Sequence, residues 1–148
     1  MRRASKIQIS TGRIIDANIN RTKEGLRVCE EITRFILNSR SLTAQFKNIR
    51  HRIDSLLKYL PTKASLLKKR QILTDVGKGN FANEMQRRNY QDIFFANIQR
   101  VQESLRVLEE FTKLTDIRIA ASFKRIRYDI YEIEKKVIKR FAALSNHR

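Results

Sequence analysis

Asparagine, arginine and glutamate recur in this chain at one fixed interval. Asn18, Arg21 and Glu24 return as Asn97, Arg100 and Glu103, each 79 positions later. Two further arginines, Arg50 and Arg127, recur at an interval of 127 − 50 = 77. At about 100° per residue, Asn18, Arg21, Asn97 and Arg100 project onto the apolar sides of their helices. Arg50 falls among Phe46, Ile53 and Leu57, and Arg127 among Phe123, Ile130 and Val137. Burying an unpaired charge costs several kcal/mol, so inward arginines need carboxylates, a bound anion or a wet cleft. Two roles are open to them. One is a buried Arg–Glu network joining duplicated halves, with Glu24 and Glu103 as acceptors. The other is a polar cleft for phosphates, with Glu and Asp side chains available to a metal ion. Arg27 with Glu31, and Arg106 with Glu110, are four apart and read as helix support nearer the rim.

These residues belong to a longer repeat. Ala17 to Glu31 matches Ala96 to Glu110, and Phe46-Lys47-Asn48-Ile49-Arg50 matches Phe123-Lys124-Arg125-Ile126-Arg127. The interval falls from 79 to 77 between the blocks, so the second intervening turn is two residues shorter. Each block carries apolar residues at helical spacing. Ser10, Thr11 and Gly12 signal a helix start, Ser41 can cap the next helix, and Pro61 stops it. Another long helix is expected from about Asn83 to Leu114, and Thr115 or Asp116 caps the last. The chain therefore reads as all-α: a duplicated helical hairpin forming a four-helix-bundle-like domain with pseudo-two-fold symmetry. Repeat 1 spans about 12–60, the connection about 61–82 with a short helix near 66–73, and repeat 2 about 83–145, in one domain of 148 residues.

The connection is long for a bundle, and long connections are often functional. Its Gly77-Lys78-Gly79 can present backbone N–H groups to an anion, but it lacks the spacing and Ser/Thr of a Walker A loop.

One proline and four glycines suit long helices. The formal net charge of +17 attracts polyanions and phosphorylated molecules. No run of about 18 apolar residues exists, so no membrane span is expected. No apolar run follows the basic start either, which implies a cytoplasmic protein without a secretory signal. Cys29, the single cysteine, reads as a small buried hydrophobe. His51 falls on the polar side of its helix.

The ordered motifs resemble a known family. Arg13 to Arg21, Glu24 to Val28, Ile49-Arg50-His51-Arg52, Asp75-Val76-Gly77 and Ala96 to Glu110 are similar to the small helical kinase domain usually fused ahead of bacterial thiamine-phosphate synthase. The resemblance runs from about Arg13 to Arg127. It implies ATP-dependent phosphorylation of hydroxymethylpyrimidine phosphate to the diphosphate, with Mg2+; the expectation for this chain is a stand-alone kinase without the synthase barrel. Carried over by position, the site draws on Asn18, Arg21, Glu24, Arg50, Asp75, Gly77, Asn97, Arg100 and Glu103, with Arg127 beside them. The arginines would hold phosphates, and Glu24, Glu103 or Asp75 would carry magnesium. The chain departs from the family pattern at Gln71 and Lys78. The implied partners are ATP, the pyrimidine phosphate and a thiamine-phosphate synthase. Two alternatives belong to other classes: a nucleic-acid-binding module using its outer lysines, and a non-catalytic domain binding phosphorylated ligands or a thiamine-phosphate synthase partner. The repeat weighs against the first, since six of the fifteen acids lie inside the two motifs.

Overall fold

The computed structural model describes residues 2–60 and 86–147, and within them the chain is helical with no strand. Helix α1 covers Arg2–Glu31 and widens into a π-helical turn over Ile32–Ile36. Helix α2 covers Arg40–Leu57, α3 Tyr90–Thr112 and α4 Ile117–Ser145. The all-helical expectation holds.

Several boundaries differ from expectation for local reasons. Helix α1 starts ten residues before Gly12, because Thr11 donates its hydroxyl to the Ile7 carbonyl at 3.0 Å and continues the helix rather than capping it. Ile7 and Ile9 stay exposed on this extension, so it carries no apolar stripe that would betray it. Ser39, not Ser41, caps α2, accepting from the Leu42 amide at 3.2 Å. Ser41 instead accepts a bond from the Gln45 side chain. Asn38 closes the π turn in the left-handed region at φ 49°, a conformation asparagine tolerates. Asn89 caps α3 by accepting from the Asp92 amide, which sets its start later than Asn83. Asp116 caps α4 by accepting from the Arg118 amide at 2.8 Å. The expected stop at Pro61, the short helix near 66–73 and the loop through Asn80 lie outside the described residues.

The core is continuous through all four helices. Phe94 of α3 meets Phe46 of α2 and Phe141 of α4 edge to face, with ring centroids 6.4 and 6.0 Å apart. Leu26, Val101, Leu105, Leu108, Phe123 and Val137 are completely buried around them.

Helices α1 and α3 cross antiparallel and very closely. The Thr22 and Ser104 hydroxyls are 2.6 Å apart, and Gly25 lies against Val101 and the Asn97 carbonyl. The contacts are reciprocal in the repeat, since 22 + 79 = 101 and 25 + 79 = 104. The same holds where α2 meets α4: Arg52 pairs with Asp129 at 2.6 Å, and 52 + 77 = 129.

A Cβ at Gly25 would sit 2.7 Å from Val101 Cγ2 and 3.0 Å from the Asn97 carbonyl oxygen. Both neighbours are held inside the crossing, so Gly25→Ala forces the helices apart. The expected loss is about 1–3 kcal/mol in urea unfolding. A variant as stable as the parent would show that the crossing is not close-packed.

Candidate functional site

Three consecutive residues on α1 and their counterparts on α3 fix the layout. Thr22 faces α3, and Lys23 reaches α2, bonding Asp54 at 2.7 Å. On α3, Val101 faces α1, and Gln102 reaches α4, donating to Glu134. The residue before each pair is rotated about 100° the other way. Arg21 and Arg100 therefore both project from the side of the α1–α3 pair that faces away from α2 and α4. From the 1.5 Å rise per residue, they stand about 8 Å apart along the helix direction, on either side of the crossing.

Arg21 and Arg100 are exposed rather than turned into the core as the helical wheel suggested. The apolar stripe of α1 is wide because it packs against two helices, and Arg21 sits at its outer edge beside half-buried Ile14 and Val28. Its stem can lie along that edge while the guanidinium reaches water. Beneath it, Asn18 is buried; its amide donates to the Ile14 carbonyl at 2.8 Å, and its Oδ1 accepts from Arg21 at 3.5 Å. Asn97 repeats the first of these bonds, to the Ile93 carbonyl at 2.8 Å. Among the described residues Arg21 has no carboxylate partner, and Arg100 and Glu24 make no side-chain bond at all. Glu103 is exposed and accepts from Gln99 at 3.1 Å.

Arg50 and Arg127 do turn inward, as expected, but they serve a different purpose. Arg50 of α2 grips Glu30 of α1 with two bonds, of 2.6 and 3.1 Å. Arg127 of α4 donates to Glu109 of α3 at 3.0 Å and to the Tyr131 hydroxyl at 3.4 Å. Its guanidinium lies over the Tyr128 ring, 5.2 Å from the centroid. Burial pulls the Arg127 pKa down, yet the bonds to Tyr131 and Glu109 outweigh it and the pKa rises.

The two carboxylates are counterparts, 30 + 79 = 109. Each half thus carries the same buried ion pair, locking its own two helices together. The expected network joined the halves through Glu24 and Glu103. Those two glutamates are exposed, so they are not the acceptors. A sequence signal existed: Glu30 and Glu109 fall one turn after Leu26 and Leu105, which are fully buried. On the rim, Arg106 bonds Glu110 at 3.1 Å as expected, whereas Arg27 approaches Glu30, at 3.9 Å, instead of Glu31.

Asp75, Gly77, Lys78 and Gln71 lie outside the described residues. Among those described, no three acidic, histidine or cysteine side chains gather as a metal set, and no helix is long and apolar enough to cross a membrane. Magnesium commonly uses one or two carboxylates with water and substrate phosphates. Glu24, without a partner of its own, fits that mode, and Glu103 fits it if Gln99 lets go.

Cys29 is fully buried, its thiol directed at the Phe94 carbonyl. Desolvation, helped by the Glu134 charge, pushes its pKa well above the ordinary 9.0. In the unfolded chain the thiol ionises near 9.0; in the folded one it stays protonated. The folded state then binds more protons, so this group's contribution to stability falls as pH rises above that value. The decline is about 1.4 kcal/mol per pH unit until the folded pKa is reached. The difference in unfolding free energy between parent and Cys29→Ala should shrink on going from pH 8 to pH 10. A constant difference would show that the buried thiol ionises freely.

The chain matches the ThiD2 family over residues 13–136. It is 38% identical over 134 residues to a thiamine-phosphate synthase of Rhodopirellula baltica, covering 90% of this chain and 36% of that protein. The thiamine-phosphate synthase of a Synechocystis strain is 37% identical over 139 residues, with coverages of 93% and 38%. That of Thermosynechococcus vestitus is 39% identical over 124 residues, with coverages of 83% and 34%. The chain spans little more than a third of the length of these relatives. No solved structure matches it.

Proposed function

The chain belongs to the ThiD2 family, and from that premise we propose that it transfers phosphate from ATP to hydroxymethylpyrimidine phosphate in thiamine biosynthesis. The observation that carries the proposal is a contrast between arginines. Arg50 and Arg127 are held by buried carboxylates, whereas Arg21 and Arg100 share one open face and have no carboxylate partner among the described residues. Guanidinium groups without a carboxylate, about 8 Å apart along that face, suit an acceptor phosphate and a donor polyphosphate brought together. The relatives' name, thiamine-phosphate synthase, agrees with a product used in thiamine synthesis.

The chain's own groups do the following work. Asn18 and Asn97, tied to the preceding helical turn, fix polar atoms under the face. Arg21 and Arg100 bind phosphate oxygens and neutralise charge as the phosphoryl group moves, which is most of what this reaction needs from a protein. Glu24 would hold magnesium, with Glu103 or Asp75 as its second carboxylate. When bound, the ion supplies charge neutralisation at the donor phosphates. Arg50 and Arg127 act indirectly, by fixing the angle between the helices of each half.

Purified protein is incubated with ATP, magnesium and hydroxymethylpyrimidine phosphate, and diphosphate formation is followed by mass spectrometry. Product above a protein-free control supports the proposal. A folded protein that makes none, over a range of donor concentrations, overturns it.

A further inference from the structure

The turn between α1 and α2 forms a shallow cavity of about 540 Å³, lined by Arg34, Ser39, Arg40, Thr43 and Lys47 around Asn38. Three cations converge there without an acid in the lining. None of the three has a carboxylate partner among the described residues; Arg34 stacks on the Phe35 ring, 4.8 Å from its centroid. The repeat supplies an internal comparison. In the second copy Lys113, the counterpart of Arg34, pairs with Glu110 at 2.9 Å, Ile117 stands in the place of Arg40, and Arg118 beside it pairs with Asp116 at 3.2 Å, while Lys124, the counterpart of Lys47, has no carboxylate partner among the described residues. The turn of the second copy is two residues shorter. The first copy thus has a longer turn, a concavity and three cations without a carboxylate, where the second copy has one.

We propose that this cavity is a second anion site, taking a diphosphate group, either free or at the end of a nucleotide. Two arginines and a lysine match the two to three negative charges of a diphosphate. The Thr43 hydroxyl and Ser39 add neutral polar groups to the lining. Arg34 lies 13 residues beyond Arg21 on the same continuous helical run. At 1.5 Å per residue that is about 20 Å, too far for one diphosphate to touch both. The site is separate from the α1–α3 face and does not depend on the phosphoryl-transfer reading.

The test is an amide NMR titration of the full chain with sodium pyrophosphate, and separately with ATP, at constant ionic strength. Shifts at Asn38 to Lys47 should saturate. In the double variant R40Q/K47Q the apparent dissociation constant should rise at least tenfold, while Arg21→Leu leaves it unchanged. Similar affinity for both anions assigns the free diphosphate group as the recognised chemistry; at least tenfold tighter binding of ATP assigns a nucleotide. All three substitutions are at exposed positions, and the spectra themselves report whether each variant folds. Shifts that grow linearly across the whole basic surface, or an affinity that R40Q/K47Q does not change, would overturn the proposal.

Discussion

Arg21→Leu and Arg100→Leu should each lower ATP-dependent phosphorylation of hydroxymethylpyrimidine phosphate by two to three orders of magnitude. The size follows from charge-assisted bonds that strengthen as charge develops. Losing one such preorganised donor costs about 2.7–4 kcal/mol of transition-state stabilisation, and each 1.36 kcal/mol is tenfold in rate. At position 21 leucine keeps an apolar stem beside Ile14 and Val28, and at both positions it removes the charged head group. Both arginines are exposed, so the fold should survive, and circular dichroism with a urea titration checks that it does. Charge reversal of Lys135, Lys136 and Lys139 on the outer face of α4 is the control, and it should change the rate little. A polyanion binder gives the opposite pattern. The outer lysines would then set affinity for RNA, each lost contact lowering the salt slope by about one, and Arg21 would be dispensable. Equal rates in parent and both leucine variants would remove these arginines from the mechanism.

The largest effect on stability should come from Glu109→Ala. It leaves the Arg127 guanidinium, about 10% exposed, without its carboxylate. Breaking one side of a buried pair typically costs 3–5 kcal/mol, because the remaining charge is stranded away from water. Glu30→Ala should follow in the first half, where Arg50 loses both of its bonds. Removing both charges is a different experiment. Glu109→Leu combined with Arg127→Met fills similar volume without stranding a charge, so it should cost far less than either single change. Urea unfolding of the two singles and the double gives the coupling energy. A cost below about 1 kcal/mol for Glu109→Ala would mean that the pair is as well solvated as a surface one.

Much of this was legible from the chain alone, and for one reason: the repeat preserved polar positions along with apolar ones. The spacing of Phe46, Ile49 and Ile53 and of Phe123, Ile126 and Ile130 identified helices that bury those residues completely or nearly so. The inward placement of Arg50 and Arg127 followed from the same stripes. The partners of those arginines did not, since a helical wheel gives direction within one helix and says nothing about which neighbour arrives opposite. Glu30 and Glu109 became acceptors only once α2 and α4 were laid against α1 and α3. The same limit misplaced Arg21 and Arg100. A stripe touching two neighbouring helices looks like one broad buried face, and residues at its edge read as inside. The early start of α1 was hidden because its first turns carry exposed Ile7 and Ile9 instead of a stripe.

Arg52 and Asp129 occupy the same place in the two copies, and they touch each other. Suppose an ancestral protein held one hairpin and assembled as a dimer of identical chains. That place would then have met itself across the axis, arginine against arginine or aspartate against aspartate, with like charges a few ångströms apart. Two copies carried in one chain are free of that constraint, and one can drift to a base and its twin to an acid. The exposed pair contributes little to stability, but it sets unlike charges where two identical copies would set like ones. It also predicts a cost of reversal. The first repeat expressed alone would, on pairing with itself, set Arg52 against Arg52, so it should dimerise less well than it pairs with the second repeat.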